Sequence, residues 1–148
     1  MFSSAPRLLL VALSCIFLAT VVDRAYAEQM QEFGDWEVHY MVLPTSYLQP
    51  DIAAKYSVVR GDDRALVNIS LIHKDRGPSE AQVSGEYKNL LSQYTKLKFI
   101  EVKEGAAVYY LAQIKHTDRD FLRFRLAVNA AEDRVLEVAF SQTMYASP

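Results

Sequence analysis

The segment Ser79–Leu97, SEAQVSGEYKNLLSQYTKL, decides the fold, because two periodicities compete in it. Val83, Tyr87, Leu90, Leu91, Tyr94 and Leu97 make a helical stripe, and Ser79 with Gln82 could form a capping box. Gly85 stands against the helix, at a cost of roughly 1 kcal/mol in a helix interior. Ala81, Val83, Gly85 and Tyr87 also alternate with polar residues, as a half-buried strand requires, and Asn89-Leu90-Leu91-Ser92-Gln93 then reads as an irregular corner. The strand is the reading adopted here. With it, the chain has no long amphipathic helix.

On either side of this segment the strand signal is plainer. Trp36, Val38, Tyr40 and Val42 alternate with Glu37, His39 and Met41, which places the first set inward and His39 on a strand face. Arg64–His73 carries Ala65, Val67, Ile69 and Leu71 on one face and Leu66 and Ile72 on the other, so burial on both faces marks a central strand. Val58-Val59 reads as a short strand and Arg60-Gly61-Asp62-Asp63 as a turn. Residues 97–103, 107–115, 121–128 and 134–143 are β-rich runs with hairpin-length separators. Between the first two strands, Tyr47–Tyr56 departs from alternation, and its Ile52-Ala53-Tyr56 spacing suits a short helical excursion opened by Pro50. The expected fold is all-β: an antiparallel β-sandwich, immunoglobulin-like, of about seven strands. A closed small barrel is the competing architecture.

Residues 1–27 stand apart from this fold. A positively charged start is followed by the apolar stretch Leu8–Val22 and by Ala25-Tyr26-Ala27, the layout of an export signal cleaved after Ala27. The stretch is shorter than the roughly 20 residues that span a bilayer comfortably. The expected mature unit is a single domain, residues 28–148, located in the periplasm without a membrane span. Cys15, the chain's one cysteine, lies inside the apolar stretch, so the mature unit has no disulfide, thiolate metal site or cysteine nucleophile. The formal net charge is −2 and no basic run stands out along the sequence. That argues against nucleic acid and against anionic lipid headgroups as partners.

No catalytic constellation emerges. His39, His73 and His116 lack paired metal-ligand spacing, and outward-facing strand positions explain all three without a metal. No G-x-S-x-G elbow, calcium loop or glycine-rich phosphate loop is present. No cofactor is implied. Arg123 and Arg125 share a face beside a strand carrying Glu137, which predicts a cross-strand ion pair, with a carboxylate-binding patch as the alternative. Tyr109 and Tyr110 must point to opposite faces of their strand, so one of them can look outward. Connections of small sandwiches are usually about 4–6 residues, so the Tyr47–Tyr56 excursion with its following turn is the candidate working surface. Tyr47, Tyr56, Arg60 and Arg64 are its candidate binding residues.

The blocks FGDWEVHY (33–40), SYLQPDIAAKYSVVRG (46–61), RALVNISL (64–71), QVSGEYKNLLSQ (82–93), EGAAVYYLAQI (104–114), LRFRLAV (122–128) and FSQTMY (140–145) follow in order. Their succession resembles a family of short exported proteobacterial proteins known only as a domain of unknown function. The resemblance implies a periplasmic β-sandwich with no assigned activity, and it supplies no catalytic or ligand residues. A glycine is common in that pattern where this chain has Ser92, and a tyrosine where it has Trp36. The favoured function is a non-enzymatic binding or accessory module for a periplasmic protein or small ligand. The alternative is an enzyme with a metal or carboxylate site assembled from distant strands.

Overall fold

The computed structural model describes residues 29–146. The expected export signal, its expected cleavage site and Cys15 lie outside them. Two antiparallel sheets pack face to face, as the sequence predicts. The strands are β1 (Gln29–Phe33), β2 (Trp36–Pro44), β3 (Arg64–His73), β4 (Gly77–Ser79), β5 (Gln82–Lys88), β6 (Tyr94–Lys96), β7 (Ile100–Glu104), β8 (Ala107–Lys115), β9 (Asp120–Ala130) and β10 (Arg134–Met144). Sheet A runs β1-β2-β3-β8-β7, with β4 paired to β3, and sheet B runs β10-β9-β5-β6. The chain changes sheets after β4, β6 and β8.

Period-two burial builds both inner faces. On β2, every second residue from Trp36 to Pro44 is buried and those between are half-buried. Val38, Val42, Val67, Ile69 and Leu71 of sheet A meet Leu122, Phe124, Val128, Val138 and Met144 of sheet B in one core. Phe140 stacks on Phe124 and on Tyr40, with ring centroids 4.7 and 4.3 Å apart, linking the sheets through aromatic faces. Along one side the layers are also stitched by side chains: Gln31 donates to the Ala139 carbonyl and Gln142 to that of Val42.

The disputed segment is strand. β5 pairs with β9 from Gln82↔Asn129 to Lys88↔Arg123. Gly85 sits where the neighbouring strand comes closest: a Cβ there would lie 2.4 Å from the Arg125 carbonyl oxygen. At the following corner, Ser92 takes a left-handed φ of 58°, a conformation that glycine adopts without strain.

Three sequence expectations are corrected. Val58-Val59 forms no strand: the Val58 amide closes back on the Ala53 carbonyl at 2.8 Å, and the Val58 side chain packs under the helical excursion. His73 and His116 do not face outward: His73 shares the inward parity of Leu71 and meets the Trp36 ring edge-on at 4.7 Å, while His116 is buried beyond the end of β8. The Arg–Glu137 ion pair does not form: the hairpin register places Glu137 opposite Ala127, and neither Arg123 nor Arg125 enters an ion pair among the described residues.

Candidate functional site

The excursion between β2 and β3 folds as a 3-10 turn, Thr45–Tyr47, followed by the helix α1, Pro50–Lys55. Six residues cannot hold a helix in water unaided, so packing must hold this one. Pro50 supplies a preset φ in the first turn, and Ala53 is buried against the outer face of sheet A. The base of the excursion is pinned by the fully buried Thr45, whose hydroxyl accepts the Gly61 amide at 3.1 Å and lies 3.3 Å from the Gly61 and Arg64 carbonyls. The Arg60 guanidinium donates to the Ser46 carbonyl at 2.9 Å. Further along, Gln113 of β8 accepts the Val59 amide at 2.8 Å and donates to the Ser57 carbonyl at 3.1 Å. On the far side, Lys55 and the Tyr56 hydroxyl both reach Glu104 at the end of β7.

A helix tethered along both sides leaves a groove beneath it. The cavity measures about 320 Å³, and its walls include Leu48, Ile52 and Tyr56 from the excursion with Met41, Leu43, Leu66, Val102, Tyr109 and Leu111 from sheet A. Two polar side chains interrupt this apolar lining, Glu104, which Lys55 and Tyr56 reach, and Asn68. Asn68 of β3, in register between Met41 and Leu111, has a buried Oδ1 with no hydrogen-bond partner. A buried acceptor left unsatisfied costs about 1–3 kcal/mol, so the folded chain carries an uncompensated polar atom beside a mostly apolar groove. A mostly apolar pocket of this size with a few polar groups in its lining is the usual form of a small-molecule site.

Of the four residues singled out from sequence, Tyr56 alone lines this groove. Arg60 ties the excursion to its base, and Arg64 lies 3.9 Å from Asp63 beside the same tie. Tyr47 is 65% exposed and does not line the groove. Tyr109 is the tyrosine of its pair that looks outward, into the groove, while Tyr110 is buried in the core. Sequence reasoning passed over Asn68, although it shares the outer parity of Leu66 and Ile72 and is the polar interruption of an apolar strand.

The other polar groups act as structural ties. The Tyr110 hydroxyl accepts the Ala81 amide at 2.7 Å and donates to Glu101 at 3.0 Å, fastening the β4–β5 crossover to β7. Burial, reinforced by the Glu101 carboxylate, pushes the Tyr110 phenol above its ordinary pKa. Lys103 joins Glu80 and Glu101 across the same crossover, and its hydrogen bond to Glu80 raises the lysine pKa. His39 pairs with Glu37 at 3.1 Å on the outer face of β2. Among the described residues no group of three or more His, Cys, Asp or Glu comes together as a metal site. No helix among them is long and apolar enough to cross a membrane.

Comparison with known proteins agrees with this architecture. Residues 30–147 match the model of a domain of unknown function, DUF4426, and the chain belongs to that family. A crystal structure of a DUF4426 family protein from Pseudomonas aeruginosa PAO1 is 34% identical, covers 82% of this chain and 97% of its own, and superposes with a TM-score of 0.74. FetP of uropathogenic Escherichia coli strain F11, expressed in the periplasm of its host, shares the fold at 11% identity and a TM-score of 0.54, over 84% of this chain and all of its own. A copper-bound variant of FetP gives the same TM-score at 12% identity, over 82% of this chain and 92% of its own. No curated protein sequence matches the chain.

Proposed function

We propose that this protein is a non-enzymatic binding module of the periplasm, exported by cleavage after Ala27, that holds a small, largely apolar ligand in the groove between α1 and sheet A. The observation that carries the reading is the unpartnered Asn68 Oδ1 in the groove floor. A ligand in the groove would bury apolar surface and, once the Asn68 side chain turns toward it, donate one hydrogen bond to the amide oxygen. Tyr56 and Ile52 form the excursion's side of the groove, while Arg60, Arg64 and Thr45 position it. Tyr47, exposed beside the Arg60–Ser46 tie, is the contact offered to a partner that receives or delivers the ligand.

N-phenylnaphthylamine, a neutral apolar amine with one N–H donor, is a suitable fluorescent probe. Titration should give saturable binding at one site per chain. Asn68→Leu, which removes the acceptor, and Ile52→Trp, which fills the groove, should each abolish it. Absence of saturable binding, or binding unchanged in both variants, would exclude the groove as the site. Intact-mass measurement of the exported protein tests the other half of the reading: the chain should begin at Glu28.

A further inference from the structure

The corner between β5 and β6 is a built structure. The Asn89 carboxamide oxygen accepts the amides of Leu91 at 3.0 Å and Gln93 at 3.1 Å, its nitrogen donates to the Gln93 side chain at 2.8 Å, and the Asn89 amide bonds back to the Gln93 carbonyl. This scaffold holds Leu90 and Leu91 out into solvent at 68% and 78% exposure, the two highest values among the large apolar side chains described. Tyr94, 58% exposed, stands directly behind them. Single exposed leucines are ordinary, but two adjacent ones on a rigid tip beside a tyrosine form a patch.

Behind the tip, the outer face of sheet B gathers cations from three strands. Lys88 of β5 lies directly opposite Arg123 of β9, and Glu86 lies between Lys96 of β6 and Arg125 of β9. A like-charge pair across a ladder is destabilising; Glu86 stands among these cations and offsets part of their charge, but none of the four enters an ion pair among the described residues, which leaves the face net positive. Instead Lys88 lies over the Tyr94 ring at 5.5 Å and Arg123 over Phe121 at 5.5 Å. Lys88, Arg123, Arg125, Tyr94 and Ser141, with Glu86 as the acidic member, line a shallow groove of about 360 Å³. At this end the carboxylates are engaged, Asp118 with Arg119 and the Ala146 amide, Asp120 with the Thr117 amide. The acidic cleft of Glu80, Glu101 and Asp133 lies at the other end of β5 and β9, about 20 Å along the strands.

We infer that the Leu90-Leu91 tip and the Lys88–Arg123–Arg125 face dock this protein onto the surface of an anionic phospholipid bilayer. The leucines would enter the headgroup–acyl boundary, Tyr94 would sit at headgroup depth as amphipathic rings do, and the cations would meet lipid phosphates. The inference departs from the expectation that anionic headgroups are no partner, because the cations, scattered along the sequence, converge only in the folded sheet. The α1 groove lies on the opposite face of the sandwich, so the inference does not depend on it.

Co-sedimentation of the exported protein with phosphatidylcholine vesicles, with and without phosphatidylglycerol, tests the inference. Binding should require phosphatidylglycerol and weaken with salt. The double variant L90S/L91S should bind about tenfold less tightly, and Arg125→Gln or Lys88→Gln about fivefold each. Leu90, Leu91 and Arg125 are exposed, so L90S/L91S and Arg125→Gln should melt with the parent, and Lys88→Gln, which relieves the like-charge pair with Arg123, should melt no lower. Equal binding to both vesicle types, or none, would overturn the inference. So would binding of glycerol phosphate or inorganic phosphate without vesicle binding, and so would tight binding of a soluble polyanion that L90S/L91S leaves unchanged.

Discussion

Asn68→Leu should stabilise the protein while removing its binding capacity. The two side chains have the same branching and the same number of heavy atoms, so the replacement asks for little room in a groove that already holds about 320 Å³. It deletes a buried acceptor without a partner, recovering about 1–3 kcal/mol of desolvation. It also places apolar atoms against Met41 and Leu111, its register neighbours, where partial burial of a leucine contributes about 1 kcal/mol. Some of this is lost to imperfect packing, because α1 cannot close fully over the new side chain. A net gain of about 1–2 kcal/mol follows, or roughly 3–8 °C in melting temperature for a domain of this size. Thermal unfolding followed by circular dichroism measures it, with N-phenylnaphthylamine binding assayed on the same preparation. A loss of about 1 kcal/mol or more would refute the reasoning, since it would mean that the amide is satisfied and holds the sheet together.

Gly85→Ala should cost about 2–3 kcal/mol or more, because its Cβ would collide with the backbone carbonyl of Arg125 and with Leu126; an unchanged urea midpoint would show that β5 can move away from β9. Ser92→Gly should raise stability by about 1 kcal/mol by relieving the left-handed φ of 58°, and a lower midpoint would indicate that the serine side chain matters more than its strain. The raised pKa of Tyr110 favours the neutral phenol in the fold, so its stabilisation is complete below the ordinary value of 10.0 and is lost as pH rises through the folded value. Tyr110→Phe should therefore lower stability at pH 7 by about 1–2 kcal/mol, since the Ala81 amide loses its acceptor, and should flatten the alkaline decline above pH 10, leaving the part due to Lys103. An alkaline slope equal to that of the parent would show that Tyr110 does not titrate with unfolding.

The parts of the fold written plainly in the sequence are those where burial on one face imposes a period. Trp36 to Val42 and Val67 to Leu71 alternate because the core lies on one side of each strand while the other is only partly covered. Gly85 settled the disputed segment for a reason visible only in three dimensions: the neighbouring carbonyl leaves no room for a Cβ. β1, β4 and β6 were not legible, since β1 is an edge strand of mixed polarity and the other two have three residues each. His73 was legible and misassigned, as its odd number already placed it with Leu71. The Arg123–Arg125 face was misjudged for want of register: the turn before Arg134, with Glu132 and Asp133 left-handed, sets Glu137 against Ala127. The groove was half legible. Loss of alternation located the excursion, but α1 covers the outer face of β3 only because Thr45, Arg60, Gln113 and Glu104 hold it there, and such tertiary ties leave no local pattern.

Amide-resolved NMR of the exported protein during titration with N-phenylnaphthylamine tests the ligand groove most directly, because the Asn68 side-chain NH₂ reports on the unpartnered amide in its lining. The account predicts a large shift of that signal together with the backbone amides of Leu48, Ile52, Leu66, Val102 and Leu111, saturating at one probe per chain. An unmoved Asn68 signal, or shifts confined to the sheet B face around Arg123 and Tyr94, would contradict it.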